Sequence, residues 1–422
     1  MQSEKSSRLY YLDSIKIFLV ILVIVHHVGQ AYGPTGGFWH YQSSLGESIP
    51  ALGRFFAVNA GFFMGFLFLI SGYFSPMSYD RSNGKGFLQR RLSRFGIPLL
   101  FVLLIMEPVQ MYFYFTAYSG NAPLPFFQYY TDIWLGLGGI PEGFIDSLDR
   151  FPHLNFGHTW FIQHLLVYAI IYWLFRKIFK KPILKQEGRP FTALHILTIF
   201  VVIAASSLIV RIWFPVDYWA GLLGFFQVEI AHWPQYLVMF VVGIIAYRKN
   251  WLNTLKIKIG YACLLIALLL VVGVYSSAIG ILRNRLDSWK VWAVYESLLA
   301  VTLIIGLITL FRETGNKTTP FLQTLSRSSF TAYIIHMPIV LLIQYALDTV
   351  VIGGAVGKFV AVSIVSVALT FALSTLLIRI KPLGKILEFV RKVIMTTCYG
   401  VTKKAIPPFF RQKRFLSHTP SK

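Results

Sequence analysis

Charged side chains are scarce in this 422-residue chain, and acidic ones are the scarcest. Asp, Glu, Lys and Arg make up 13% of the residues, whereas 56% are hydrophobic and the mean hydropathy is +0.62. A soluble domain has about 25% charged residues, so this composition indicates a membrane protein. Only 17 acidic residues offset 39 basic ones, which gives a net charge of +22. Because the basic residues separate apolar runs, we attribute the excess to membrane orientation and expect no nucleic-acid partner.

Several signatures of other protein classes are also missing. The two cysteines, Cys263 and Cys398, form no disulfide framework. No GxxxxGK[ST] loop, GxSxG elbow or metal-ligand spacing occurs, so we expect no metal. The sequence has no internal repeat, which lowers the weight of a transporter built from inverted halves. The first apolar run lacks a cleavage site and is expected to remain as the first helix.

Ten stretches are long and apolar enough to span a bilayer as helices of about 20 residues. They are predicted at 13–32, 55–75, 95–117, 159–179, 194–214, 227–247, 259–280, 291–311, 328–348 and 357–379. None alternates as a barrel strand would, so the predicted fold is an all-α polytopic membrane protein. With the N-terminus inside, most Lys and Arg lie in inner connections, which predicts that both termini are cytoplasmic.

The chain divides into two predicted parts. Residues 1–380 form the transmembrane domain, and residues 381–422 form a basic cytoplasmic tail. We interpret the tail as an electrostatic anchor on anionic lipids, and we expect the protein to lie in a bacterial cytoplasmic membrane. Membrane lipids are therefore predicted partners.

The first predicted span contains polar side chains that are costly at membrane depth. Lys16 and His27 are 11 residues apart, so on an α-helix they share one stripe and are separated by roughly 16 Å along the axis. His26 points some 80° away. This stripe could join a cation near the inner surface to an imidazole in the outer half. The alternative is that Lys16 extends to the headgroups and His27 bonds to a neighbouring helix.

A second pattern, GFLQRRLSRFGIPLL at 86–100, places two arginines at the inner end of the third span. Arg91 and Arg94 are three residues apart and share a face, whereas Arg90 does not. Guanidinium groups suit phosphate geometry, and Lys16 could add charge. The alternative is that the arginines only mark the inner side of the membrane. Glu107 lies on nearly the opposite side of this helix.

Two further segments carry polar and aromatic residues in apolar surroundings. In FGHTWFIQHLL, His158, Trp160 and His164 are candidates to bind an acceptor, although Trp160 also fits an interfacial aromatic belt. In SRSSFTAYIIHMPIV, Tyr333 and His336 are three residues apart on one helix. His336 could instead satisfy a backbone kinked by the nearby proline. Glu296 is a further intramembrane carboxylate.

Together these motifs resemble the acyltransferase-3 family of membrane acyltransferases. The similarity covers roughly residues 8–380 and is carried, in the family's order, by YLDSIKIFLVILVIVHH (11–27), FLISGYF (68–74), RRLSRFGIP (90–98), HTWFIQHLL (158–166) and AYIIHMPIV (332–340). Within the family, the chain is most similar to the glucan-biosynthesis C subgroup, whose members are associated with succinyl substitution of periplasmic glucans.

The resemblance implies roles for individual residues. The family's basic residue and histidine fall on Lys16 and His27, although many members have Arg at the first position. Its Arg-x-x-Arg pattern falls on Arg91 and Arg94. The implied reaction moves an acetyl or succinyl group from cytoplasmic acyl-coenzyme A, a co-substrate, to a hydroxyl of an extracytoplasmic glycan or glycolipid.

The sequence thus predicts three groups of site residues. Lys16, Arg91 and Arg94 bind the donor, and His27 acts as general base, with His26, Glu296, Tyr333 and His336 as candidates to orient it or to stabilise an oxyanion. His158, Trp160 and His164 line the acceptor side. A transporter or flippase for a glycan or anionic substrate remains an alternative, as does a non-catalytic sensor. The acyl group, the acceptor, the oligomeric state and an acyl-histidine intermediate are left open.

Overall fold

The structure, a computed structural model, describes residues 9–34, 41–145, 151–179, 190–222, 226–285 and 288–380. Most of these residues are helical. The α-helices are α1 Tyr10–Gln30, α2 Ala51–Asp80, α3 Asn83–Arg91, α4 Ile97–Phe101, α5 Glu107–Tyr118, α6 Phe126–Gln128, α7 Trp160–Ile178, α8 Ala193–Val210, α9 Trp233–Arg248, α10 Trp251–Thr254, α11 Ile257–Tyr275, α12 Ala278–Arg285, α13 Ser288–Thr314, α14 Pro320–Ala346 and α15 Gly354–Arg379. The predicted basic tail and Cys398 lie outside the described residues.

Short irregular elements complete the chain. π-helical turns occupy Leu92–Gly96, Val102–Met106 and Tyr129–Trp134, and a 3₁₀ turn covers Gly157–Thr159. The strands β1, Trp219–Leu222, and β2, Phe226–Glu229, pair in antiparallel fashion, with Trp219 opposite Glu229.

The predicted all-α polytopic fold is confirmed. Nine helices among the described residues are long and apolar enough to cross a membrane, and the run Gly84–Tyr118, which includes two π-helical turns, is one of them. The prediction at 227–247 needs correction, because β2 occupies its start and α9 has only 16 residues. At 1.5 Å per residue, α9 is about 24 Å long, shorter than the roughly 30 Å apolar core of a bilayer.

Helix α9 nevertheless runs between the two ends of the bundle. Near its start, Arg211 at the end of α8 donates to the carbonyl of Ala231. At its other end, Arg248 forms an ion pair with Asp80, the last residue of α2. Short as it is, α9 therefore continues the alternation of helix direction that ten spans require.

Two glycines allow α9 to pack closely against α2. A Cβ atom on Gly72 would overlap the carbonyl oxygen of Phe240, and one on Gly243 would overlap that of Leu69. Small residues permit this close backbone approach, which is a common way for membrane helices to associate. The crossing fixes α2, and with it the side chains that α2 presents to the candidate site.

The helix ends define two faces of the bundle. At the N-terminal face, where α1 begins, Ser14 donates to the carbonyl of Gly315 and Arg248 contacts Asp80. At the opposite face, Gln344 donates to the carbonyl of Val28. Helices α2 and α13 are mostly buried, whereas α8, α11 and α15 expose apolar side chains around them. The cytoplasmic location of the N-terminal face remains a prediction.

Candidate functional site

Three histidines from three segments meet near the opposite face. The ring centroids of His27, in α1, and His336, in α14, are 5.2 Å apart. The ring of His158, in the turn before α7, is 4.9 Å from that of His336. His158 and His336 are buried, and His27 is half-buried. We call these three residues the histidine cluster.

Each ring of the histidine cluster directs one nitrogen to an oxygen acceptor. His27 Nδ1 is 2.9 Å from Gln30 Oε1, His336 Nδ1 is 2.7 Å from the carbonyl of Tyr333, and His158 Nε2 is 2.8 Å from the carbonyl of Ile334. A carbonyl oxygen can only accept, so each of these nitrogens carries a proton, and in a neutral ring the other nitrogen carries none. In the neutral rings, Nε2 of His27 and Nε2 of His336 therefore carry lone pairs. Among the described residues, Nε2 of His336 has no hydrogen-bond partner.

A proline in α14 explains why His158 can bind there. Pro338 has no backbone N–H, so the carbonyl four residues earlier, that of Ile334, loses its helical partner. His158 Nε2 donates a hydrogen bond to this carbonyl instead. In return, the hydroxyl of Tyr333 donates to the backbone carbonyl of His158 over 2.7 Å. The two bonds fasten the turn before α7 to α14, so it is His158, and not His336, that satisfies the carbonyl freed by the proline.

A buried carboxylate lies against the same turn. Glu107 is fully buried and accepts a hydrogen bond of 3.0 Å from Gln110. A Cβ atom on Gly157 would overlap this carboxylate, so the turn can approach it only because residue 157 is glycine. Gly157 also has a φ of +47°, a conformation that favours glycine. Glu107, which had no assigned role in the sequence, thus lies next to the residue that precedes His158.

His26 faces away from the histidine cluster. Its Nδ1 is 3.5 Å from the Asn59 amide, and its ring packs among Phe55, Phe56 and Phe63 of α2. The ring centroids of His26 and His27 are 5.8 Å apart. His26 therefore borders the cluster from behind, as the predicted 80° offset suggested.

Glu296 belongs to a separate ion network. Its carboxylate contacts Arg211 at 2.5 Å and His232 at 3.4 Å, and His232 Nδ1 lies 2.8 Å from Glu229. All four side chains are buried. Glu296 packs near Gly61 of α2, whereas His26 contacts Asn59, two residues away and thus on nearly the opposite side of that helix. The contacts of Glu296 thus place it in this network instead of beside His27.

Trp160 and His164 point to another side of α7 than His158. Trp160 contacts Tyr236 and Trp219, with ring centroids 5.4 and 5.6 Å away. His164 is buried, and its Nδ1 is 2.8 Å from the carbonyl of Trp160. Of the three predicted acceptor residues, His158 lies in the histidine cluster, while the other two lie in an aromatic group beside the hairpin.

The predicted donor residues lie toward the N-terminal face. The guanidinium group of Arg91 packs over the rings of Phe87 and Phe95, and it approaches Ser75 Oγ at 3.4 Å. Arg94 is exposed, and its guanidinium carbon lies 5.0 Å from the ring centroid of Phe330. The ring centroids of Phe95 and Phe330 are 6.0 Å apart. The two guanidinium groups therefore flank one pair of phenyl rings. Arg90 bonds instead to the carbonyl of Ser78.

Lys16 lies at the same level of α2 as Arg91. Its ammonium is 5.7 Å from the ring of Phe74, the residue before Ser75. It also forms an ion pair of 2.6 Å with Asp13, one turn earlier. We call Lys16, Arg91 and Arg94 the cation group. The ion pair means that any ligand of Lys16 has to compete with Asp13, which the sequence did not suggest.

The stripe of α1 between the cation group and the histidine cluster is packed against protein. Val20 and Val23 lie on this stripe and are only 5% and 2% exposed. A ligand that followed the stripe would therefore have to displace neighbouring side chains. In the part of the chain that the structure describes, no group of three or more His, Cys, Asp or Glu side chains is placed to hold a metal.

Sequence reasoning did not identify several residues that shape the site. Gln30, Asn59 and Gly157 have common polar or small side chains, and only the folded chain brings them to histidines or to Glu107. Trp219 was not selected either. The one available signal was the cost of Glu107 at membrane depth, which predicts a partner without identifying it.

The fold and this site define a multi-pass membrane protein with an imidazole cluster at one face and a cation group toward the other. The chain belongs to the acyltransferase-3 family, because that family's model, described as an acyltransferase domain, matches residues 9–379. It is therefore an acyl-transferring membrane enzyme.

The similar proteins agree with this assignment. Glucans biosynthesis protein C of Escherichia coli strain K12 is 25% identical over 353 residues, which cover 81% of this chain and 84% of that protein. The protein of the same name from Shigella dysenteriae serotype 1 has the same identity and coverage, and that of Escherichia coli O9:H4 is 24% identical with the same coverage. No solved structure matches this chain.

Proposed function

We propose that this enzyme transfers an acetyl or succinyl group from acyl-coenzyme A at the N-terminal face to a hydroxyl of a glycan or glycolipid at the opposite face. The observation that carries the proposal is the pairing of two sites on shared helices. Helix α1 carries Lys16 of the cation group and His27 of the histidine cluster. Helix α14 carries Phe330, which contacts Arg94, and, farther along, His336. In a bacterial cytoplasmic membrane, this arrangement would deliver a cytoplasmic acyl group to an extracytoplasmic acceptor.

The cation group suits the phosphates of coenzyme A. Arg91 carries a buried Nε that has no hydrogen-bond partner among the described residues, and Arg94 is exposed beside it. Guanidinium groups bind phosphate through paired N–H donors. The phenyl rings of Phe87, Phe95 and Phe330 pack against these guanidinium groups. Lys16 adds a third positive charge when its pair with Asp13 opens.

The thioester would then reach the histidine cluster along α1. The rise of roughly 16 Å between Lys16 and His27 is the distance that the acyl-pantetheine arm has to cover. Because Val20 and Val23 are buried on this stripe, entry of the arm requires α1 and its neighbours to separate.

At the histidine cluster, His27 would act as general base. Its Nε2 takes the proton of the acceptor hydroxyl while the hydroxyl oxygen attacks the thioester carbonyl. The tetrahedral intermediate collapses by breaking the carbon–sulfur bond, and the imidazolium returns its proton to the leaving thiolate. The products are an ester and free coenzyme A. General-base catalysis of this type contributes about 10²- to 10⁴-fold in rate.

The remaining candidates take supporting roles in this proposal. His336 presents its Nε2 beside His27 and can hold the acceptor hydroxyl. Tyr333 and His158 fix the turn that completes the cluster, and His26 supports His27 from behind. Glu296, through its contacts with Arg211 and His232, would act only on the surrounding framework.

The purified enzyme with labelled acetyl- or succinyl-coenzyme A tests the chemistry. We expect acceptor-dependent release of free coenzyme A, which His27→Ala abolishes while coenzyme binding persists. His195→Gln is the control, because His195 caps α8, where glutamine also serves. Turnover of His27→Ala within a few-fold of the unmodified enzyme would contradict the base assignment. Solute movement without an acyl product would favour a transporter.

The donor site has a matched control in the adjacent arginine. Arg91→Ala and Arg94→Ala should each weaken coenzyme A binding about 10- to 100-fold, the equivalent of a charge-assisted hydrogen bond of roughly 1.5–3 kcal/mol. Arg90→Ala removes the same charge from the same segment and should leave the affinity unchanged, because its guanidinium faces Ser78. Equal affinities for all three variants would remove the phosphate-site assignment.

The acceptor is suggested by the name of the relatives. Proteins called glucans biosynthesis protein C match over 81% of this chain, so we propose a glucan as the acceptor. The motif resemblance given in the sequence analysis makes succinyl the first acyl group to test. Mass spectrometry of surface glycans from cells with and without the gene would decide both. An acetyl or succinyl mass gain that depends on the gene is expected, and identical spectra would contradict the proposal.

A further inference from the structure

We propose that Trp160 and Trp219 form a subsite for the carbohydrate chain of the acceptor, held by the β1–β2 hairpin. This inference rests on the proposed function and identifies where the acceptor binds. The two tryptophans come from different segments, yet their ring centroids are 5.6 Å apart at an interplanar angle of 74°. Trp219 is 37% exposed, and Trp160 is partly exposed.

The tryptophan pair packs on one side against other aromatic residues. Trp160 rests on Tyr236, which is 4% exposed, at a centroid distance of 5.4 Å, and its other neighbours are His164 and Phe68. One side of the pair is thus packed against buried aromatic residues, and the other side is exposed. Such an amphipathic aromatic surface binds a ligand at low entropic cost, because tryptophan has only two side-chain torsions.

The hairpin that carries Trp219 is fastened at two places. The side-chain amide of Gln163 donates to the carbonyl of Gln227 over 2.9 Å and accepts from its N–H over 3.3 Å. At the end of β2, Glu229 contacts His232 of the buried ion network. Buried charges are costly and are commonly retained for a specific arrangement. Here, the network fixes Glu229, the residue opposite Trp219 in the hairpin.

The tryptophan pair lies close enough to the histidine cluster to hold the glycan that is acylated there. Trp160 follows His158 by two residues, so their Cα atoms are no more than about 7 Å apart. His158 in turn lies 4.9 Å from His336. Although the Trp160 side chain points to another side of α7 than His158, this short separation lets a glycan that stacks on the tryptophan pair reach the cluster with a sugar farther along its chain.

The chemistry of the surroundings favours a neutral sugar chain over an anionic ligand. The basic groups of the adjacent network, Arg211 and His232, are paired with the carboxylates of Glu296 and Glu229. Asp217, an exposed carboxylate two residues before β1, lies at the base of the hairpin, and its backbone N–H approaches Glu229. Aromatic faces can pack against the C–H faces of a sugar, while carboxylates and amides can accept its hydroxyls.

Membrane anchoring is the competing role for an exposed tryptophan at this face. Trp213, which follows α8, is the matched control, since it is 68% exposed and precedes the same hairpin. An interfacial role predicts similar effects for the two residues. A glycan subsite predicts an effect for Trp219 alone.

The test is a steady-state comparison of Trp219→Ala, Trp219→Phe and Trp213→Ala with a glucan oligosaccharide as acceptor. Trp219→Ala should raise the acceptor KM about five- to ten-fold, as expected for one lost aromatic contact. Its donor KM should stay within two-fold of the unmodified enzyme, and Trp219→Phe should recover part of the loss. Trp213→Ala should leave both constants unchanged.

Two results would overturn the inference: equal acceptor KM values for Trp219→Ala and the unmodified enzyme, or equal losses in Trp219→Ala and Trp213→Ala. Coenzyme A binding by each variant reports on folding, and if Trp219→Ala does not bind it, Trp219→Phe decides alone. The proposed function fails differently, since the unmodified enzyme would then release no coenzyme A with any glycan.

Discussion

At the scale of single residues, the neighbour of His27 decides what this histidine can do. Gln30 lies one turn after His27, and its Oε1 accepts the proton on Nδ1. The lone pair is therefore on Nε2, on the opposite side of the ring. A general base needs this orientation, so Gln30 is a positioning residue in the proposed mechanism.

Replacing Gln30 should separate positioning from binding. Gln30→Leu removes the acceptor and should lower kcat about ten-fold or more, because His27 loses its fixed tautomer. Gln30→Glu keeps an acceptor at the same place and should retain most of the activity, with the acid side of its kcat–pH profile moved upward because a carboxylate favours the protonated imidazole. The KM for acyl-coenzyme A should not change in either variant. Equal kcat values for Gln30→Leu and the unmodified enzyme would contradict the assigned tautomer.

The sequence could predict spacing along one helix but not contacts between helices. The periodicity of α1 places Lys16 and His27 on one stripe and His26 off it, and the structure has His27 and His26 facing different helices. That His27 faces His336 and His158 depends on packing among three segments. The Gly157 turn against Glu107 depends in addition on a positive φ that no pattern indicated.

At the scale of structural elements, α14 shows how an irregular helix builds the site. Pro338 removes one helical hydrogen bond, and His158 takes the free carbonyl of Ile334. The helical hydrogen bond that Pro338 removes is thus replaced by the bond from His158, which holds the histidine cluster together. This relation predicts opposite effects of one substitution on stability and on activity.

Pro338→Ala should restore the N–H that bonds to Ile334 and compete with His158. We expect the unfolding temperature to stay the same or rise, because a proline inside a helix costs about 3 kcal/mol, while kcat falls several-fold. Thermal unfolding and steady-state kinetics on one preparation provide both values.

Pro76, inside α2, is the matched control, since the carbonyl that it frees belongs to Gly72 at the crossing with α9. Pro76→Ala should not lower kcat. An unchanged kcat in Pro338→Ala would show that the bond from His158 has no part in the site.

The long helices were predictable from hydropathy, whereas interruptions were not. Nine apolar runs of the expected length are helices in the part of the chain that the structure describes. The run at 227–247 begins instead with β2, because Gln227 and Glu229 pair with the hairpin and with buried partners. The π-helical turns Leu92–Gly96 and Val102–Met106 leave no apolar signature, yet each changes which face of the third span follows it.

At the scale of the whole molecule, the orientation of the bundle links the two sites to two compartments. If the N-terminal face is cytoplasmic, the cation group meets acyl-coenzyme A inside and the histidine cluster meets the acceptor outside. The excess of basic residues in the predicted inner connections supports this orientation. The ends of α2 and α9 meet at that face through Asp80 and Arg248.

A native cysteine can test the orientation. Cys398 lies in the predicted cytoplasmic tail, and a membrane-impermeant maleimide should label it in inside-out vesicles but not in intact spheroplasts. Cys263 is 5% exposed and should not react in either. With Cys398 replaced by Ser, Ser48→Cys places a thiol at an exposed position of the opposite face and should show the reverse pattern. Labelling of Cys398 in spheroplasts would reverse the predicted topology.

Transfer across a sealed membrane is the most direct test of the central claim. The enzyme would be reconstituted in proteoliposomes of one orientation, with labelled acyl-coenzyme A on the side of the N-terminal face and glucan only on the other side. The account predicts acylated glucan on the glucan side and free coenzyme A on the donor side, both abolished by His27→Ala. Product that forms only when both substrates share one side would contradict it.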